Sequence, residues 1–284
     1  MRVTFWGVRG SIATSGLAFA RFGGNTTCVE IEHDGDRLII DAGTGLRALG
    51  AKLAHEARVF ARPVEATMLF THLHWDHVQG FPFFGPAFAP DTRLRLHGPI
   101  DNDMKSTLFD VLDRQMRPPS FPVTLDAMCA DKSFHTIHSG DELALDSFSV
   151  RTRALSHPQG SLGYRIEAGG RSLCFATDTE HPSDGSIDDA LLDLARDVDL
   201  LIYDAQYTEA EYEGRDGSGP CRRGWGHSTY VAAARVARAT GAKRLVLTHH
   251  DPGHDDATME KIEREARALF PACRAAREMM PMAV

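Results

Sequence analysis

Apolar residues recur along the chain in short runs of strand character, at 3–7, 26–32, 37–41, 67–71, 92–97, 148–155, 163–167, 172–177, 200–203 and 244–248. Between some of them the spacing lengthens to a helical period, at 44–55, 102–115, 188–196, 228–240 and 256–269. Stretches of strands alone, mixed with strand–helix alternation, predict an α/β fold in which sheets are sandwiched by helices. Pro118, Pro119 and Pro122 stop any helix over 117–122. Five glycines and Pro220 within 214–226 predict a mobile loop. No repeat or low-complexity tract breaks the pattern, and residues 1–284 read as one domain.

Composition narrows the class. Hydrophobic residues make up 43% and charged residues 25%, the balance of a soluble globular enzyme. A net charge of -8 leaves no broad basic face for non-specific nucleic-acid binding, although a local basic pocket around a small anion stays open. The five cysteines are scattered without a C-x-x-C, so neither a disulfide framework nor a thiolate zinc site is expected, and reduced thiols fit a cytoplasmic protein. The chain turns polar by Arg9, without the apolar stretch of a signal peptide, and no run reaches the roughly 18–20 apolar residues of a membrane span.

The chemistry concentrates in Thr71-His72-Leu73-His74-Trp75-Asp76-His77, directly after a strand. His72 and His74 are two apart, so in extended backbone they leave on the same face. Asp76 and His77 then open a short helix and can address a neighbouring centre. Three imidazoles and a carboxylate so close together make a poor core and a good ligand set for zinc, manganese or iron. Three further strands end in a metal-type ligand: 151–155 before His157, 173–176 before Asp178, and 245–247 before His249. Sites in α/β proteins gather beyond the carboxyl ends of strands, so these ends are expected to converge on one edge.

The His-x-His-x-Asp-His motif, followed by separate His, Asp and His, resembles the metallo-β-lactamase superfamily. Gly24-Asn25-Thr26 and Asp41-Ala42-Gly43-Thr44-Gly45 carry the same resemblance, which runs from Phe5 to about Ala268. It implies a four-layer αββα sandwich. It also implies two divalent metal ions, Zn2+ in the first place with Mn2+ or Fe2+ as alternatives. His72, His74 and His157 would hold one ion; Asp76, His77 and His249 would hold the second; Asp178 would bridge them. The implied reaction is hydrolysis by metal-bound hydroxide, with Asp76 counted among the catalytic groups.

Relatives that use a thiol have cysteine where Asp178 stands, and the aspartate favours phosphodiester or thioester hydrolysis. Gly226-His227-Ser228-Thr229 resembles the His-Ser-Thr motif of the ribonuclease Z and cyclic nucleotide phosphodiesterase branch. That likeness implies a catalytic His227, which contacts the phosphate and protonates the leaving oxygen. Read alone, the segment is a helix start capped by Ser228 with an exposed flanking histidine. One departure matters. Ribonuclease Z carries a tRNA-gripping arm between the ligands matching His157 and Asp178, whereas here only a short hairpin through Gly169-Gly170 joins them. The expectation is therefore a small phosphodiester, a 3′,5′-cyclic nucleotide foremost, with tRNA disfavoured, no membrane partner and a homodimer by resemblance.

Secondary candidates are Asp41, as an orienter of a ligand histidine or a turn-former before Gly43, His250 and Asp251, as partners of the site or plain loop beside His249, and Arg222 and Arg223, as a lid over phosphate or solvated surface. Phe81, Phe83, Phe84 and Phe88 read as core or subunit contact. The competing functions are a glyoxalase II-like thioesterase, an iron-dependent sulfur dioxygenase of the same fold, and a binding module with a relict site.

Overall fold

In this computed structural model, which describes residues 1–284 apart from 102–104, 216 and 218, two seven-stranded sheets lie face to face between helices. The first sheet runs, edge to edge, β14 (Pro281–Ala283), β1 (Arg2–Gly7), β2 (Cys28–His33), β3 (Asp36–Ile40), β4 (Glu65–Leu69), β5 (Arg93–Gly98) and β6 (Asp131–Thr136). The second runs β13 (Cys273–Ala275), β12 (Leu245–Thr248), β11 (Leu200–Asp204), β10 (Arg171–Ala176), β9 (Ser161–Ala168), β8 (Phe148–Leu155) and β7 (Glu142–Leu145). Strands β3 to β6 are parallel, as are β10 to β13, so each sheet sends several carboxyl ends the same way.

Alternation assigns each strand side to a layer. In β3, Leu38 and Ile40 enter the layer between the sheets, alongside Val29, Ile31, Tyr164 and Phe175. Ile39 between them faces the outer layer with Leu46, Leu49 and Leu53 of α1 (Leu46–Phe60). In β11, Leu200 and Ile202 take the central layer. Leu201 and Tyr203 pack outward with Leu191, Ala233 and Ile262 of α4 (Asp189–Ala195), α6 (Tyr230–Thr240) and α7 (Asp256–Leu269). A strand covered on both faces must be apolar at every position, which is why 200–203 lacks alternation. Truncating one such residue, Ile202→Ala for instance, costs about 2–5 kcal/mol. The three apolar layers make this the four-layer αββα sandwich that the sequence resemblance implies.

Several boundaries differ from the sequence expectation. The helix expected over 102–115 begins at Leu108, where Thr107 and Asp110 form a capping box; 102–104 lie outside the described residues. Helix α6 starts at Tyr230 and is capped by Thr229, whose hydroxyl accepts from the Ala232 N–H; Ser228 instead meets His181 Nδ1 at 2.8 Å. The strands β6, β7, β13 and β14 are absent from the apolar pattern. Strand β6 is a polar edge, and β13 and β14 are three residues each, too short for a period to appear.

Candidate metal centre

The ligand-bearing residues stand where the strands end. Asp41 follows β3, His72 and His74 follow β4, His157 follows β8, Asp178 follows β10, and His249 follows β12. Asp41, Asp178 and His249 have φ values of 61°, 57° and 60°, in the left-handed region that non-glycine residues rarely adopt. Each such turn costs roughly 1–3 kcal/mol, and such turns cluster at functional sites. Here each swings a polar side chain from the strand end into the cleft between the sheets.

The side chains converge in two overlapping groups. Ligand atoms of His72, His74 and His157 lie within 4.8 Å of one another, and so do those of Asp76, His77 and His249. Asp178 sits between the groups. Its Oδ1 is 3.7 Å from His72 Nε2 and 3.2 Å from His249 Nε2, and its Oδ2 is 3.3 Å from His77 Nε2. Asp178 is thus within reach of side chains from both groups.

A second layer fixes which nitrogen of each ring faces inward. His77 Nδ1 donates to Asp41 Oδ2 at 2.8 Å, while Asp41 is itself held by the N–H and hydroxyl of Thr71. His157 Nδ1 donates to the Gly226 carbonyl at 2.9 Å, and His249 Nδ1 to Gln206 Oε1 at 3.0 Å. His74 is turned the other way: its Nε2 donates to Gln159 Oε1 at 2.8 Å, so Nδ1 faces the cleft. Asp76 Oδ2 accepts from the Ser11 N–H at 2.8 Å. Such outer partners orient ligand rings and raise their basicity. Two glycines let backbone press on these rings: a Cβ on Gly10 would lie 2.3 Å from the His249 ring, and one on Gly226 (φ 85°) 2.3 Å from His157 Nδ1.

The site favours positive charge. Burial pushes the Asp178 carboxyl up, but His249, His77 and His72 around it hold it well below the ordinary range. Burial lowers His249, yet Asp178 and Asp76 carry it up to about 9. His72 goes the other way: burial and neighbouring His77 hold it well below the usual imidazole value. Its buried Nε2 has no hydrogen-bond partner among the described residues. An orphaned, unprotonated nitrogen facing Asp178 and among the rings of His74, His77 and His157 fits a divalent cation better than any internal hydrogen bond.

His227 stands at the rim. Its ring stacks on His249 at 4.8 Å, and its Nδ1 donates to Asp204 Oδ2 at 2.9 Å. Ligand atoms of His227 and Asp204 also come within 4.8 Å of those of Asp178 and His249. The Asp204 oxygens, however, already accept from the N–H groups of Asp178, Gln206 and Ser228. That leaves Asp204 as an orienter of His227.

The secondary candidates divide. Asp41 orients His77, as expected. His250 is buried outside the cluster, its Nε2 on the Ala276 carbonyl at 3.1 Å. Arg223 lies against Tyr212 and 3.6 Å from Glu213, so it does not face the centre. Arg222 stacks over Tyr207 and, with Asp251, lines a cavity beside His227. Phe81 and Phe84 are core; Phe83 and Phe88 are partly exposed.

Sequence reading missed Asp204, Gln206, Gln159 and Glu180. Asp204 closes β11 and was open to the strand-end argument used for its neighbours. Glu180 accepts from Tyr212 Oη (2.6 Å) and from the N–H groups of Gly224 (2.7 Å) and Gly226 (2.8 Å), which pins the end of the segment expected to be a mobile loop.

Comparison with known proteins agrees with this geometry. The chain is 27% identical to "Ribonuclease BN" of Cronobacter sakazakii, covering 92% of this chain and 94% of that protein. It is 26% identical to "Ribonuclease Z" of Gemmatimonas aurantiaca, covering 89% and 88%. Among solved structures, the metallo-β-lactamase fold protein YhfI of Bacillus subtilis superposes with a TM-score of 0.70 over 99% of both chains at 16% identity, a likeness of fold alone. The expectation that tRNA is disfavoured is not supported by such relatives. A family model described as the beta-lactamase superfamily domain matches residues 36–250, most of the chain, and this protein therefore belongs to that superfamily, in its metallo-β-lactamase-fold group of metal-dependent hydrolases.

Proposed function

We propose that this protein is a dinuclear phosphodiesterase acting on a small phosphodiester, with a 3′,5′-cyclic nucleotide as the leading substrate. The observation that carries the reading is His227, held by buried Asp204 at 2.9 Å beside a complete set of seven metal-type ligands. In this reading His72, His74 and His157 hold one divalent cation, Asp76, His77 and His249 the other, and Asp178 both. Bound there, the ions would supply Lewis-acid polarisation of a phosphoryl oxygen and a water of lowered pKa. Zinc comes first for an imidazole-rich set, and manganese and iron share its ligand chemistry.

The protein's own contribution is orientation and a proton. Asp41, Gln206, Gln159 and the Gly226 carbonyl hold the ligand rings in register. His227, tethered through Nδ1, uses Nε2 to protonate the departing ester oxygen, and Asp204 balances the imidazolium charge beforehand. A thioesterase has no need of such a group.

A second reading, cleavage of RNA, is favoured by the names of the curated relatives. Against an arm-dependent mode of binding stands the two-residue Gly169-Gly170 turn between β9 and β10, which leaves no insertion between His157 and Asp178. Metal-loaded protein incubated with purine and pyrimidine 3′,5′-cyclic nucleotides and with a tRNA precursor distinguishes the two. Ring opening to a linear monophosphate, absent in Asp76→Ala, supports the first. Cleavage of the precursor alone replaces it with the second.

A further inference from the structure

Two cavities open beside the ligand clusters. One, of about 550 Å³, touches His72 and His74 and is walled by Ile100, Val111 and Leu162. The other, of about 440 Å³, touches His227 and is walled by Tyr207, Pro220, Arg222, Trp225, Asp251 and Pro252. If His227 protonates the leaving oxygen, the sugar bearing that oxygen lies on its side, and the group attached to the sugar enters the second cavity.

That cavity has the chemistry for a base. Trp225 lines the cavity and is 51% exposed, unusually high for a tryptophan. It is nonetheless held firmly. Glu180 accepts from the N–H groups of both flanking residues, Gly224 and Gly226, and the Trp225 N–H donates to the Arg222 carbonyl at 3.1 Å. A large, exposed ring on a pinned backbone is a stacking platform, and every nucleobase has a face to lay on it. The first cavity offers no exposed Phe, Tyr or Trp among its lining residues.

The polar groups around the platform select among bases. Gln206 is committed through both ends of its amide, its Oε1 to His249 and its Nε2 to the Ser11 hydroxyl at 3.3 Å. Asp251 is not: its Oδ1 takes only the local Gly253 N–H at 2.7 Å, and no bond to Oδ2 appears among the described residues. A carboxylate accepts and cannot donate. Guanine presents two adjacent donors, N1–H and the 2-amino group. Adenine presents a lone pair at N1, which a carboxylate repels.

We infer that the cavity between Trp225 and Asp251 is a nucleobase subsite that prefers guanine, with Trp225 as the stacking surface and Asp251 as the reader of the base edge. The inference rests on the phosphodiesterase reading for which side of the phosphate the sugar takes, and its test does not require turnover. Calorimetric titration of metal-loaded protein with 5′-GMP, 5′-IMP, 5′-AMP and inorganic phosphate gives the comparison. GMP is expected to bind about tenfold tighter than AMP, with IMP, which lacks the 2-amino group, between them. Trp225→Ala weakens every nucleotide by about 5- to 100-fold and leaves phosphate where it was. Asp251→Asn brings GMP and AMP to similar affinity. Equal binding of GMP, AMP and phosphate by the native protein, or an unchanged ratio in Asp251→Asn, overturns the assignment. Base-selective binding without cleavage of any diester would keep the subsite and remove the phosphodiesterase reading; cleavage indifferent to the base would do the reverse.

Discussion

Removing the His227 imidazole should cost activity in proportion to how badly the leaving group needs a proton. Among the described residues its ring hydrogen-bonds Asp204, lies against neighbouring rings and stands 4.0 Å from Asp178 Oδ1, so His227→Ala deletes a proton donor and leaves the seven ligand side chains in place. General acid catalysis by a positioned side chain contributes about 10²–10⁴-fold, which is roughly 3–5 kcal/mol of barrier. An alkyl ester such as a ribose 3′-oxygen feels all of it. A 4-nitrophenyl ester, whose phenolate leaves without a proton, should feel little. The assay is kcat on a cyclic nucleotide and on bis(4-nitrophenyl) phosphate for native and variant protein, with metal content measured by elemental analysis. The reasoning predicts a loss of 10²-fold or more on the first substrate, less than about tenfold on the second, and two metals in both proteins. Equal losses on the two substrates, or a variant that has shed a metal, would refute it and turn His227 into a ligand or a binding residue.

Further outcomes follow from the second layer and from a buried ion pair. Asp41→Asn keeps the size of the group that receives the His77 Nδ1–H and removes its charge; metal affinity should fall about 10- to 100-fold in a chelator competition. Gly10→Ala places a methyl 2.3 Å from the His249 ring, so the protein should fold and bind one metal with much reduced affinity, read as stoichiometry below two. Away from the centre, burial raises Glu211, but the His254 ring at 2.8 Å brings it down to about 2. A carboxylate with a depressed value stabilises the fold above its unfolded value of about 4.3 and loses that contribution as pH falls. Thermal melts between pH 5 and about 2 should therefore fall more steeply for the native protein than for Glu211→Gln.

Much of the centre was legible because its ligands are local in sequence or sit at strand ends. His72, His74, Asp76 and His77 form one dense run, and an extended backbone followed by a helical turn already sends them in two directions. His157, Asp178 and His249 each follow an apolar strand directly. What stayed hidden depends on contacts that only the folded sheets create. Gln159 reaches His74 across the cleft between the two halves of the sandwich, and Ser11, in the loop after β1, reaches Asp76, which follows β4 of the same sheet. Glu180 was visible beside Asp178, but its partners lie 32 to 46 residues further on and are mostly backbone N–H groups, which leave no side-chain signature. The cap of α6 shifted from Ser228 to Thr229 because the Ser228 N–H is taken by Asp204 and its hydroxyl by His181. Strand β6 escaped notice because an edge strand buries too little of its polar surface to need apolar alternation.

The most direct test is a metal titration. Protein stripped with a chelator is reconstituted with zinc or manganese in steps while hydrolysis of bis(4-nitrophenyl) phosphate and bound metal are followed together. The account predicts that hydrolysis rises up to two equivalents per chain, levels there, is abolished again by chelator, and never appears in Asp178→Ala. Full activity at one equivalent, activity that survives complete removal of metal, or two tightly bound metals with no diester cleaved would contradict it.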